Sequence, residues 1–306
     1  MTLPRIQLQL LVISVLAVTS GCGFPSNDVH WKIGLASDKG RAYLVDFIWS
    51  KGHLGPSIEK RELTTIAPAE SVWISRDRSL YAAKEIKRDR TDLGEAWVRV
   101  YSRDGRCIGE FRNGNGDDRL SAPIIVGSKR VVFVDRDRRL IIGKIDLSAK
   151  PCAFVEHAAT LEPSAGRLSP SAQLLPIDDA HIAVASPSGR SIRIIGLDDG
   201  SDVTVSEGRL AGVVDGAPVA VKDHKLFRIT SSGHVRIPAS LTIRGVKSPL
   251  NVFRLSPCGG FLLYDSGEVD GFMLRLADLR TNRDRVIRRL GKGARIGSWY
   301  DVAKDR

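Results

Sequence analysis

An all-β fold is what this sequence predicts, and three observations carry the prediction. Short apolar or alternating stretches follow one another, bounded by Gly, Asp, Asn or Ser, with no long apolar pattern of helical period between them. Glycine is abundant, at 29 of 306 residues, and much of it stands where tight turns would join those stretches. The stretches group into units that begin at Ser37, Ser75, Val126, Ile177, Val214 and Ser256, a spacing of about forty residues and the period of propeller blades. The prediction is a single six-bladed β-propeller of four-stranded blades over residues 33–306, after an N-terminal signal segment.

The clearest unit spans 253–288. Ser256-Pro-Cys-Gly-Gly260 reads as a turn, Phe261–Asp265 as an apolar strand, Gly271–Asp278 as an alternating strand, and Arg285–Arg288 as a short outer strand. Leu262 and Leu263 should be buried. The first unit, Leu35–Asp46, aligns with it by placing Ser37 on Ser256 and Gly40 on Gly259. The second runs Ile74–Ala83, Trp97–Tyr101, the turn Ser102-Arg-Asp-Gly105 and Arg106–Phe111. The third is Val126–Val134 with Leu140–Ile145, and the fourth Ile177–Val184, Ser191–Ile195 and Val203–Val205. The fifth is Val214–Val221, Lys225–Ile229 and His234–Ile237. Continuously apolar strands such as Val131-Val-Phe133 and Phe261-Leu-Leu263 read as the inner strands, covered on both faces. A β-sandwich pair or an open array is the alternative.

The tail Ile296-Gly-Ser-Trp-Tyr-Asp-Val302 begins another unit and stops. A ring must join its ends or leave two exposed sheet edges. The tail is therefore expected to pair with the N-terminal unit around Leu35–Phe47, with Trp299 packed as Trp73 is in the second unit.

Residues 1–21 stand apart. Arg5 supplies a positive start, Leu8–Val18 is apolar except for Gln9 and Ser14, and small residues lead to Cys22. The run is short for a membrane span and reads as a secretory signal, with 22–32 as a tether. Ser20-Gly21-Cys22 resembles the end of the lipobox of bacterial lipoprotein precursors, with Thr19 where an aliphatic residue is usual. That resemblance implies lipidation of Cys22 and a membrane attachment through the lipid anchor. Gly23 in place of Asp implies the outer membrane, facing the periplasm; a soluble periplasmic or secreted protein is the alternative. Ser256-Pro-Cys-Gly-Gly-Phe-Leu-Leu-Tyr264 resembles the repeat core of TolB-type and WD-like propellers, with Cys258 in place of the usual Asp.

The net charge of +11 permits an anionic partner. The arginines alternate with aspartates, as in Arg76-Asp77-Arg78, Arg88-Asp89-Arg90 and Asp135-Arg136-Asp137-Arg138, and no aromatic-interleaved basic run exists. Nucleic acid is not expected; an envelope protein or an anionic envelope polymer is. Three cysteines remain beside Cys22: Cys107, Cys152 and Cys258. A Cys107–Cys152 bridge is conceivable, and buried thiols are the preferred reading.

No Gly-x-Ser-x-Gly, His-Glu-x-x-His or phosphate-loop pattern occurs. Asn113-Gly-Asn-Gly-Asp-Asp118 offers oxygens without an EF-hand's closing Glu. His30, His53, His157, His181, His224 and His234 share no spacing. Asp38, Asp77 and Asp215 fall in turns that could line one mouth of a channel. No catalytic residue, metal site or cofactor is expected. The functional expectation is a lipid-anchored, non-catalytic docking or ligand-binding module. The alternative is a propeller hydrolase or lyase with a metal at the channel mouth, which would require Asp, Glu and His side chains to converge there.

Overall fold

The computed structural model describes residues 29–36, 40–50, 53–54, 59–88, 94–112, 119–127, 129–148, 157–161, 166–214, 216–223, 225–230, 233–236, 253–256, 259–268, 271–279, 283–290 and 295–301. The expected signal segment and Cys22 lie outside them, as do Cys152, Cys258, Asp38, Asp215, His224, 113–118 and 291–294.

The described residues form antiparallel sheets and contain no helix. One sheet holds β1 (Val29–Ala36), β2 (Ala42–Ser50), β3 (His53–Leu54) and β4 (Glu59–Leu63), the last two both pairing with β2. The second is β5 (Ala69–Ile74), β6 (Leu80–Arg88), β7 (Gly94–Ser102) and β8 (Cys107–Arg112); the third is β9 (Ile124–Val126), β10 (Arg130–Val134), β11 (Leu140–Lys144) and β12 (His157–Leu161). The fourth is β13 (Gln173–Pro176), β14 (His181–Ala185), β15 (Ile192–Gly196) and β16 (Asp202–Ser206); the fifth is β17 (Arg209–Val214), β18 (Ala217–Lys222), β19 (Lys225–Thr230) and β20 (Gly233–Arg236). The sixth is β21 (Phe253–Leu255), β22 (Phe261–Glu268), β23 (Gly271–Asp278) and β24 (Arg283–Leu290). The last strand, β25 (Arg295–Asp301), returns to the first sheet and pairs with β1 on the side away from β2.

The tail therefore joins the N-terminal sheet, as expected, with Ile33 opposite Trp299 and Leu35 opposite Ile296. Its partner strand begins at Val29, inside the stretch read as a tether. Trp299 and Trp73 occupy first strands of adjacent sheets, and both are buried.

First strands touch from sheet to sheet: β25 meets β5, β5 meets β9, β9 meets β13, β13 meets β17, β17 meets β21, and β21 meets β25. Polar bonds cross three of these seams. Gln173 Nε2 donates to the carbonyl of Leu210 at 2.7 Å, the Ile74 amide to Ser298 Oγ at 2.9 Å, and Arg254 Nε to the carbonyl of Gly297 at 2.5 Å. The Arg254 guanidinium also lies 5.6 Å from the centre of the Trp73 ring. The apolar core lies between the sheets, where Val131, Val132, Phe133 and Val134 are all buried. A strand covered on both faces needs no polar alternation.

Leu262 and Leu263 are fully buried, as expected. They do not lie on the inner strand, however. β22 is second in its sheet, as are β10, β14 and β18, and a strand precedes each of them. β9 and β21 are only three residues long, too short to show a period of two, so the sequence assigned their place to the longer apolar runs that follow. The alignment of Gly40 on Gly259 was also a strand out of step. Both glycines turn the chain at positive φ, 70° and 74°, but Gly40 stands between the second and third strands of its sheet and Gly259 between the first and second.

Candidate functional site

The same turn recurs in four sheets. Ser75, Asp135, Ser186 and Ser256 each accept, on the main-chain carbonyl, the amide of the residue three positions on. Each also accepts, on its side-chain oxygen, an amide at or one residue before the start of the following strand: Leu80 at 3.0 Å, Arg139 at 2.8 Å, Ser191 at 3.1 Å and Phe261 at 3.0 Å. The fourth residue of the turn has positive φ. It is Gly in two cases and Arg in the other two, Arg78 at 61° and Arg138 at 68°.

The turn at Ser75 forms one wall of a groove of about 660 Å³. Arg78 and Ser79 come from this first-to-second strand turn. Ser102, Arg103 and Arg106 come from the third-to-fourth strand turn of the same sheet. Successive connections in an antiparallel meander alternate between its two ends, so these two turns share one end. Arg61 enters from β4 of the neighbouring sheet, and Leu147 from the chain leaving β11 of the next. The groove thus spans elements of three sheets.

Four guanidiniums line it against two carboxylates, Asp77 and Asp104. Both carboxylates are engaged in their own turns. Asp77 accepts from Ser75 Oγ at 2.6 Å and from the Ser79 amide and hydroxyl at 3.2 and 2.8 Å. Partial burial works to raise its pKa, but these hydrogen bonds outweigh burial and hold the carboxyl below its ordinary value. Asp104 accepts from Ser102 Oγ, and that bond lowers its pKa likewise. Arg61 donates to the carbonyl of Arg103 and Arg106 to that of Leu147, each at 3.4 Å. A carbonyl carries no net charge, so these contacts orient the guanidiniums without neutralising them. Leu147 is 55% exposed and stands among these charged side chains as the apolar member of the lining.

Behind the groove, a buried network fixes the link from β4 to β5. Glu85 is fully buried and accepts hydrogen bonds from Arg99, from the Tyr101 hydroxyl and, at 2.8 Å, from the Ala67 amide. Arg99 also reaches Glu110 at 2.8 Å and stacks on Trp97, 4.7 Å from the ring centre. Tyr81 stacks on Tyr101 and donates to the carbonyl of Thr64 at 2.6 Å, while the Ile66 amide donates to Tyr101 Oη at 3.1 Å. Residues 64–67, which join the sheet of Arg61 to the sheet of Arg103, are thereby tied to the second sheet at Thr64, Ile66 and Ala67. Gly105 is required beside them: its φ is +87°, and a Cβ there would lie 2.7 Å from Thr64 Oγ1.

Of the residues singled out in the sequence, Asp77 and Arg78 reach the groove, as do Ser102, Arg103 and Asp104 of the 102–105 turn and Arg106 after it. His181 is half-exposed and contacts Asp178 at 3.0 Å through Nδ1. Cys107 is buried, with its Sγ 3.8 Å from the carbonyl of Gly109. Among the described residues, no three of His, Cys, Asp and Glu gather at metal-binding distance. In the sequence Arg78 stood in an Arg–Asp alternation and Arg103 and Arg106 in or after the 102–105 turn, while Arg61 was not singled out, and nothing in the sequence joined the four. Arg78, Arg103 and Arg106 share one signal, an Arg within or beside a tight turn, whereas Arg61 lies within β4.

Neither a protein-family model nor a curated protein sequence matches this chain. Solved structures do match in fold. TolB from Acinetobacter baumannii matches with a TM-score of 0.54 and 14% identity over 89% of this chain, which spans 66% of the TolB chain. A structure of the nidogen/laminin complex matches with a TM-score of 0.53 and 11% identity, covering 89% of this chain and 98% of that one. A protein of unknown function from Bacteroides caccae matches at 0.51 with 13% identity, covering 90% and 99%. At these identities the likeness is one of fold, and it supports a β-propeller.

Proposed function

We propose that the chain is a non-catalytic docking module of the cell envelope, built as one six-bladed propeller. The first-strand contacts that pass through all six sheets and return to β25 support the blade count. The leader would be removed as a signal peptide, Cys22 would carry the lipid anchor, and the residues up to β1 would tether the propeller to the outer membrane on its periplasmic side. The observation that carries the docking reading is the open groove formed by elements of three sheets and lined by four arginines. Arginine is enriched at interface hot spots because its planar fork gives several directed bonds. A structural neighbour comes from the nidogen/laminin complex, an assembly of two proteins, in keeping with a propeller that works by holding a partner.

The test is crosslinking in the native envelope, comparing the parent with Arg103→Glu/Arg106→Glu and with the control Arg167→Glu. Loss of specific crosslinks in the double variant alone is expected. An unchanged pattern in the double variant would refute docking at this groove. In the same cells, Cys22→Ala should abolish acyl labelling; equal labelling of that variant would exclude the anchor.

A further inference from the structure

We propose that the groove accepts an extended acidic peptide segment that carries an apolar side chain, which seats against Leu147. This rests on the docking reading and specifies the chemistry of its partner. Arg61, Arg78, Arg103 and Arg106 outnumber Asp77 and Asp104, so the groove favours an anionic occupant. The two carboxylates then decide which kind. Their positions are fixed by the serine hydroxyls of their own turns. A polyphosphate, charged at every unit, would set phosphates against both of them. A peptide can place carboxylates on the guanidiniums and neutral or donor groups, including its own amides, on Asp77 and Asp104.

Leu147 gives the second criterion. It is an exposed apolar side chain inside a charged groove, and the Arg106 guanidinium bonds to its carbonyl. An anionic polymer without apolar groups gains nothing from it, whereas a Leu, Met or Phe side chain would cover it and remove apolar area from water. The groove is open to solvent and its lining comes from separate elements of three sheets, which an extended segment can cross.

The experiment uses the full-length protein and a fluorescein-labelled peptide in which one leucine is flanked by Asp and Glu, read by fluorescence anisotropy. The same peptide with Gly for Leu, and polyphosphate of matched charge, are the comparators. The Leu peptide should bind the parent, and Arg103→Glu/Arg106→Glu should weaken it about tenfold or more. Leu147→Ser should weaken the Leu peptide and leave the Gly peptide unchanged. Circular dichroism establishes that each variant is folded. Equal binding of the Leu and Gly peptides overturns the proposal, as does polyphosphate binding more tightly than the Leu peptide, or no peptide binding at all. If groove-dependent crosslinks persist in the envelope while the peptide fails to bind, the peptide chemistry is wrong and docking stands; if both are lost, docking falls too.

Discussion

Glu85 is a carboxylate with no exposure and three hydrogen-bond partners. Glu85→Ala would leave the Arg99 charge buried without that partner, at a cost of about 3–5 kcal/mol in denaturant unfolding. Glu85→Leu/Arg99→Met, which removes both charges, should cost much less. Leu262→Ala and Leu263→Ala should each cost about 2–5 kcal/mol; an unchanged midpoint in both would contradict their burial. The tyrosines set an alkaline limit. Burial, reinforced by the charge of Glu85, raises the pKa of Tyr81 and Tyr101 above the ordinary value. The folded state therefore keeps the phenols protonated when the unfolded state has begun to lose them. Their contribution is complete below about pH 10 and declines as pH rises through the folded values. Stability measured above pH 10 should fall steeply in the parent and less steeply in Tyr101→Phe. At the acid end, Asp77 stabilises its turn above its unfolded pKa and loses that effect as pH falls through its lower folded value.

At the scale of the element, the recurring turn explains both what could be read from the sequence and what could not. Its chemistry is local: a hydroxyl or carboxylate to cap the next strand, and a residue tolerant of positive φ three positions later. That made Ser256–Gly259 recognisable, and the sequence set Gly40 on it by analogy. It also misled, because two different connections within a sheet can use the same turn, so aligning turns did not align strands. Where Arg stands at positive φ the backbone conformation is unfavourable. Arg138→Gly should therefore raise stability by about 1 kcal/mol, seen as a higher thermal midpoint. Gly40→Ala should lower the midpoint, since its Cβ would lie 2.4 Å from Pro68 Cβ. Among third strands, Arg99, Arg193 and Arg275 each pair with an acid on the fourth strand, Glu110, Asp202 and Asp284. This device was present in the sequence as an Arg between apolar residues and went unread, because alternation predicts that such an Arg is solvated.

For the whole molecule, sheet type and the return of the tail were legible, whereas the place of each strand within its unit was read one strand out of step. The two legible features follow from turn residues and apolar runs, which act over short distances. The groove was not legible, because Arg61 meets the other three arginines only after the first and second sheets have packed, and Leu147 joins them from the third. Closure is testable directly. Removing residues 297–306 would strip the β1 edge, the Ser298 hydroxyl that caps the Ile74 amide, and the Gly297 carbonyl that holds Arg254. The thermal midpoint of the entire domain should fall, not that of one part. A truncated protein that melts with the parent would show that the sheets stand without β25.

The pairing of β1 with β25 also sets an order of events during synthesis. β1 is among the first strands to be made, yet one of its edges has no partner until Arg295–Asp301 has emerged, long afterwards. The intervening sheets can pair within themselves, since their neighbours are close in sequence, but the first must wait half-built with an open edge. Growing chains of every intermediate length therefore share the same vulnerable surface, and a stalled or prematurely ended chain keeps it. Such a polypeptide gains by being held unfolded until it is whole, so that the strand begun first is completed last.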